Sequence, residues 1–313
     1  MEMYEKNSSE TPGGVPIAAA VDVPKRKTAR NYIITFVFIA LYLSLYYFNQ
    51  MVVALASSFF LSLSAKTSPS HEADSVLMEQ YARFMDKHIG SVLALSALLS
   101  LLMFAFIWRL RKRSIIKQCK LDRKSSTKDI GMGAALGFSV NFVTSLILVI
   151  LISFPFFARA FEAYQQHISI LTSKNYIPAF IGIGILVPVV EEILFRGMIT
   201  VELSELFSLP VAMALQGLIF GLYHGNPIQS AYTAVLGFIF GYCTYKVDSL
   251  YPAIAAHIAM NSTSLLLTIP AIITILSEPS FSLLYVVVSC ATFVCSFLYF
   301  LKRKRSPLEG SDF

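Results

Sequence analysis

The stretch IPAFIGIGILVPVVEEILFRGM, from Ile177 to Met198, is twenty-two residues long and carries three charged side chains, Glu191, Glu192 and Arg196. About 20 helical residues span the roughly 30 Å hydrocarbon core of a bilayer, so this run is long enough to cross a membrane. It lacks the strict alternation of a barrel strand, and only helices and closed barrels satisfy their backbone in lipid. An ionisable group at the centre of such a helix costs about 2.5–3.5 kcal/mol, which makes the three charges functional candidates.

Further apolar runs lie on both sides: Tyr32 to Leu63, Ile89 to Trp108, Ile130 to Phe157, Leu209 to His224, Ala231 to Tyr245, Tyr251 to Ile269 and Leu283 to Leu301. The reading is an all-α polytopic membrane protein, a bundle of about eight transmembrane helices around an intramembrane catalytic cavity. Composition agrees. The 313 residues are 56% hydrophobic and 14% charged, with a mean hydropathy of +0.65, against about 45–50% and 25% in an average soluble domain. Such a chain is neither a secreted disulfide scaffold nor a disordered protein. The four cysteines, Cys119, Cys243, Cys290 and Cys295, show no metal-ligand spacing and read as free thiols.

Residues 1–31 are polar, aperiodic and proline- and glycine-bearing, and read as a disordered cytoplasmic tail. Residues 32–301 form the helical domain, and 302–313 a second tail. The polar segment 64–88 reads as a loop with a short amphipathic helix. The net charge of +6 comes from clusters beside apolar runs: Lys25, Arg26, Lys27 and Arg30; nine Lys or Arg between Arg109 and Lys128; and Lys302 to Arg305. With an even number of spans these clusters share one side, and the positive-inside rule makes that side the cytoplasm. Both termini are expected there, in a multi-pass protein of the cell membrane. Charge bunched in this way orients a protein in the lipid bilayer; no nucleic-acid partner is expected.

Between residues 130 and 300 most of the remaining charges, Glu202 among them, fall in expected loops. Glu192 and Arg196 are spaced i, i+4 with the acid first, the better order for a helical ion pair, and are assigned as a structural pair. Glu191 points about 100° away and is left as the unmatched acid. His224 lies in a helix with Gly217 and Gly221, and His257 and Asn261 are stacked i, i+4 on another. A carboxylate, two imidazoles and a carboxamide on apolar helices suit hydrolysis. Glu191 and His224 can deprotonate and orient a water, and His257 and Asn261 can donate to a developing oxyanion. Alternatively Glu191, His224 and His257 could hold a zinc ion that acidifies the water. Asn is a poor zinc ligand, so the metal-free arrangement is slightly favoured.

The motifs resemble a known family. Glu191-Glu192-Ile-Leu-Phe-Arg196 is similar to the EExxxR motif of the CAAX protease and bacteriocin-processing (CPBP, or Abi) intramembrane proteases. Phe220-Gly-Leu-Tyr-His224 resembles their FxxxH motif and His257-Ile-Ala-Met-Asn261 their HxxxN motif, in the same order. The resemblance covers residues 177–265. It implies an intramembrane endopeptidase acting on a membrane-associated peptide or lipidated protein, of the CAAX or peptide-precursor type. Glu191 and His224 then activate water, and His257 and Asn261 stabilise the oxyanion. Two rivals are a non-catalytic immunity or scaffold protein and a proton-coupled transporter. The catalytic reading also sets a geometric condition. His224 ends a short helix while Glu191 lies deep in its span, so His224-Gly225-Asn226-Pro227 must line a cavity inside the bilayer profile.

Overall fold

A computed structural model describes residues 27–64, 71–171 and 175–305, all helix and connection with no strand among them. In chain order the principal helices are α1 (Ala29–Ser64), α2 (His71–Leu110), α3 (Thr127–Ile152), α4 (Ala158–Leu171), α5 (Tyr176–Ser204), α6 (Leu209–Tyr223), α7 (Pro227–Val247), α8 (Tyr251–Leu266), α9 (Pro270–Ser277) and α10 (Pro279–Lys302).

Five of these are long and apolar enough to cross a membrane by themselves: α1 over Ala29–Phe60, α2 over Glu79–Leu110, α3, α5 and α10. A sixth crossing results if α8 and α9, bent by 82° at their junction, count as one. The expected eight is therefore not reproduced as eight full-length spans. α6 has fifteen residues, too few to cross alone. The segment 64–88 also departs from expectation: residues 71–88 continue directly into α2, a single helix of 40 residues. Of the expected tails, the N-terminal one gives way to helix at Ala29. Most of it, with residues 306–313 of the other, lies outside the described residues.

Local chemistry sets the boundaries. Ser126 caps α3, accepting from Asp129 N at 3.0 Å while the Asp129 carboxylate returns to Ser126, a reciprocal box satisfying two otherwise orphaned groups. Asn226 caps α7 by accepting from Ile228 N at 2.9 Å and Gln229 N at 3.2 Å, and Pro227 follows at the first helical position. Gly225 just before it has φ +67°, a conformation that costs glycine nothing.

α6 and α7 form a hairpin, α8 lies along α3, α1 along α2, and α10 on α3. At the hairpin contact a Cβ on Gly217 would stand 2.9 Å from the Ala234 carbonyl oxygen, and one on Gly237 2.7 Å from the Gly217 Cα. Backbone therefore touches backbone, as at small-residue crossings in membranes. The outer surface is apolar: Phe60, Leu102, Phe106, Val149, Leu222 and Leu283 are all exposed. In water this surface would be a severe liability, and in lipid it is ordinary. The molecule is an integral membrane protein.

One end of the bundle collects the charges. Glu202, expected in a loop, is fully buried near the end of α5. It pairs with Arg111 and Arg113 and accepts from the Tyr42 hydroxyl at 3.0 Å. Burial works to lower the Arg111 pKa, but the hydrogen bond and charge of Glu202 outweigh it and hold it above its ordinary value. At the same end Arg303 binds Asp129 through two contacts of 2.6 and 2.8 Å, and Lys120 binds Asp248 at 2.5 Å. All four cysteines are free, and burial pushes the Cys119 thiol up, so it behaves as a small hydrophobe.

Candidate active site

The site is built around an irregularity in α5. Its helix widens to π turns over Phe180–Leu186 and Ile193–Ile199, on either side of Glu191 and Glu192. Such turns concentrate at functional positions. Pro188 has no N–H to give to the carbonyls four and five residues before it. Those carbonyls find partners on α8 instead: Asn261 Nδ2 donates to Ile183 O at 3.0 Å, and Ser262 Oγ to Gly184 O at 3.4 Å. A proline on one helix thus fixes the Asn261 carboxamide on another.

The next turn of α5 carries the charges. Glu192 and Arg196 are buried, with Arg196 Nη1 3.0 Å from Glu192 Oε1. The guanidinium lies over the Phe220 ring at 4.2 Å and nearer to it than to Phe240, at 5.6 Å, a desolvated cation–π arrangement. Glu192 has a second partner that the spacing did not reveal. Its Oε1 accepts from His257 Nδ1 at 2.7 Å. The other ring nitrogen, Nε2, lies 3.6 Å from Glu191 Oε2. Glu191 is not bare either, since the Tyr46 hydroxyl donates to its Oε1 at 3.4 Å.

His224 caps the C-terminus of α6. Its Nδ1 is 2.8 Å from the Phe220 carbonyl oxygen. A carbonyl can only accept, so Nδ1 carries a proton, and in the neutral ring Nε2 holds the lone pair. Phe220 packs edge-on against both histidines, with centroids 4.8 Å from His224 and 5.9 Å from His257. One aromatic ring therefore orients both imidazoles and covers Arg196.

Glu191, His224, His257 and Asn261 all line one cavity of about 310 Å³. The short α6 stops after fifteen residues and delivers His224 to the same cavity as Glu191; Gly225, Asn226 and Pro227 are not among the residues that line it. The remaining wall includes Tyr47 and Gln50 of α1, Leu93 of α2, and Gln229, Tyr232 and Thr233 of α7. Sequence reasoning missed Tyr46, Tyr47 and Gln50. They lie within a long hydrophobic run, and the packing of α1 against α5 and α6 singles them out.

The zinc alternative depends on the donor set. Among the described residues no three His, Cys, Asp or Glu side chains converge as metal ligands. The triad Glu191, His224 and His257 does not form a ready zinc site.

Residues 173–263 match the family described as Rce1-like, type II CAAX prenyl endopeptidase. The matched segment holds the three motifs, so the resemblance read from the motifs and the family match coincide. The matched segment is similar to a peptidase family and is set in an integral membrane protein. No curated protein and no solved structure matches the chain. α1, α2, α3 and α10 lie outside the matched residues.

Proposed function

We propose that this protein is an intramembrane endopeptidase that hydrolyses a peptide bond in a membrane-associated substrate of the CAAX type, without a metal. The observation that carries this reading is the convergence of Glu191, His224, His257 and Asn261 on one cavity walled by apolar helices. A water held by Glu191 and His224 Nε2 attacks the scissile carbonyl, and its proton passes to that pair. The carbonyl oxygen becomes an oxyanion. Asn261 spends one Nδ2 hydrogen on Ile183 O, leaving the second to donate to the oxyanion. His257 donates from Nε2. Because Nδ1 already donates to Glu192, donation from Nε2 requires the imidazolium. Two carboxylates, Glu191 and Glu192, then face two cations, Arg196 and His257, and the buried cluster is neutral. When the intermediate collapses the C–N bond breaks, and the proton held by the Glu191–His224 pair goes to the leaving amine.

The same reading orients the molecule. Arg111 and Arg113 on Glu202, Lys120 on Asp248, and Arg303 on Asp129 lie at one end of the bundle, where Tyr32 of α1 also packs edge-on against Phe207. The beginnings of α1, α3 and α8 and the ends of α2, α5, α7 and α10 share that end. We place it in the cytoplasm by the positive-inside rule.

The test uses purified full-length protein in liposomes with a quenched fluorescent peptide bearing a prenylated C-terminal CAAX sequence. Wild type is expected to cleave it. Glu191→Gln is expected to remain folded and to lose about 10²–10⁴-fold in kcat, as removal of a general base does. Cleavage by the Gln variant at the wild-type rate would remove Glu191 from the mechanism. Comparative proteomics of short membrane-derived peptides, wild type against Glu191→Gln, identifies the physiological substrate.

A further inference from the structure

We propose that Tyr46, on a helix outside the family-matched segment, is the positioning residue for the water-activating carboxylate: its hydroxyl holds one oxygen of Glu191 so that the other faces the cavity. This rests on the role proposed above for Glu191.

A glutamate has three rotatable side-chain bonds and two equivalent oxygens. Nothing intrinsic to the carboxylate distinguishes those oxygens; a fixed donor on one of them does. Tyr46 supplies that donor, with its hydroxyl 3.4 Å from Oε1, while Oε2 lies 3.6 Å from His257 Nε2. The contact is long for an O–H···O bond, and such bonds tighten once the substrate is bound. The other groups around Glu191 are Tyr223 on α6 and Glu192 and Arg196 on α5 itself.

The tyrosine cannot drift away. It is fully buried, and its ring stacks on Tyr223 at 5.5 Å with 20° between the planes. Phe104 of α2 closes the other side at 6.5 Å. Tyr223 is itself tethered, accepting from Gln50 Nε2 at 3.5 Å. One turn earlier on α1, Tyr42 serves a different carboxylate of α5, Glu202. The antiparallel pairing of α1 with α5 thus presents one hydroxyl to the proposed catalytic acid and one to the ion-pair cluster at the bundle's end. The donor comes from α1, outside the matched segment.

The comparison of Tyr46→Phe with Tyr42→Phe tests the proposal, because each removes one buried hydroxyl from the same helix. Tyr46→Phe is expected to lower kcat about 10–100-fold, the equivalent of a hydrogen bond to a charged group, with KM unchanged. Tyr42→Phe is expected to lower the melting temperature and leave kcat per folded molecule within about twofold. In a Glu191→Asp background, where the shorter carboxylate falls away from Tyr46, adding Tyr46→Phe is expected to change the remaining rate by less than about twofold. A wild-type kcat for Tyr46→Phe, or a loss of the same size in both backgrounds, would overturn the positioning role. Full activity in Glu191→Gln would instead overturn the role of Glu191 itself, so the two failures are read from different variants.

Discussion

His257 and Glu192, sixty-five residues apart in the chain, are joined by a 2.7 Å hydrogen bond from Nδ1 to Oε1 inside the protein. This bond makes Glu192 more than the anchor of an ion pair. It fixes the ring plane of His257 and directs Nε2 toward the cavity, the way an outer carboxylate commonly orients a functional imidazole.

Glu192→Ala should therefore fail in two ways. It strands Arg196 in a desolvated site, and breaking a buried pair costs about 3–5 kcal/mol. It also frees His257, so the protein that does fold should turn over slowly. Melting temperature and kcat per folded molecule, measured together in detergent, check this. A normal melting temperature would count against the buried pair, and normal turnover against the orienting bond.

Asn261→Ala should lower turnover about 10²–10³-fold, as loss of one oxyanion donor does. Pro188→Ala should give a smaller loss of the same kind. It restores an N–H beneath Ile183 and Gly184, which competes with Asn261 for the Ile183 carbonyl. Steady-state kinetics of the two variants and their combination test the link. If the Pro188 variant is as fast as wild type, the proline does not hold the carboxamide.

Chelation should leave the enzyme active. Purified, activity-verified protein is dialysed against a strong chelator, assayed for zinc and returned to substrate. Activity that disappears with zinc and returns on its addition would sink the metal-free mechanism.

Glu202→Gln should destabilise without touching chemistry. It weakens the charge-assisted bonds from Arg111 and Arg113 and the one from Tyr42, each worth about 1.5–3 kcal/mol. The melting temperature should fall while kcat per folded molecule holds. A selective fall in kcat would tie this cluster to the active site.

Single cysteines at Lys304 and Glu162, both exposed, report the orientation in a chain whose own cysteines have been replaced. An impermeant thiol reagent outside intact cells should label Glu162→Cys and leave Lys304→Cys untouched. Labelling of Lys304→Cys from outside would invert the topology.

How much of this was legible in the sequence varied by residue. Glu191, His224, His257 and Asn261 stood out because polar groups in apolar helices are costly, and the structure brings all four to one cavity. The i, i+4 rule found Glu192 with Arg196 but not Glu192 with His257, because periodicity speaks only within one helix. The position of Glu202 after the apolar run reads as a loop; its partners Arg111, Arg113 and Tyr42 are remote in sequence, so its burial has no local signature. The count of eight full-length spans is not confirmed: neither α6 nor α7 qualifies by itself, and α8 qualifies only together with α9 across the bend. Hydropathy counts apolar residues, and it cannot tell a helix that stops halfway from one that crosses.

The backbone contact between Gly217 and Gly237 bears on how a mutational scan of this protein would look. Any side chain at either position forces the hairpin backbones to shift, and His224 is carried on that hairpin. A screen scored only by lost cleavage would place these two glycines beside Glu191, and a reader of that map would count them as chemistry. Protein abundance scored alongside separates the two groups: the glycine variants vanish from the membrane, and the Glu191→Gln variant stays.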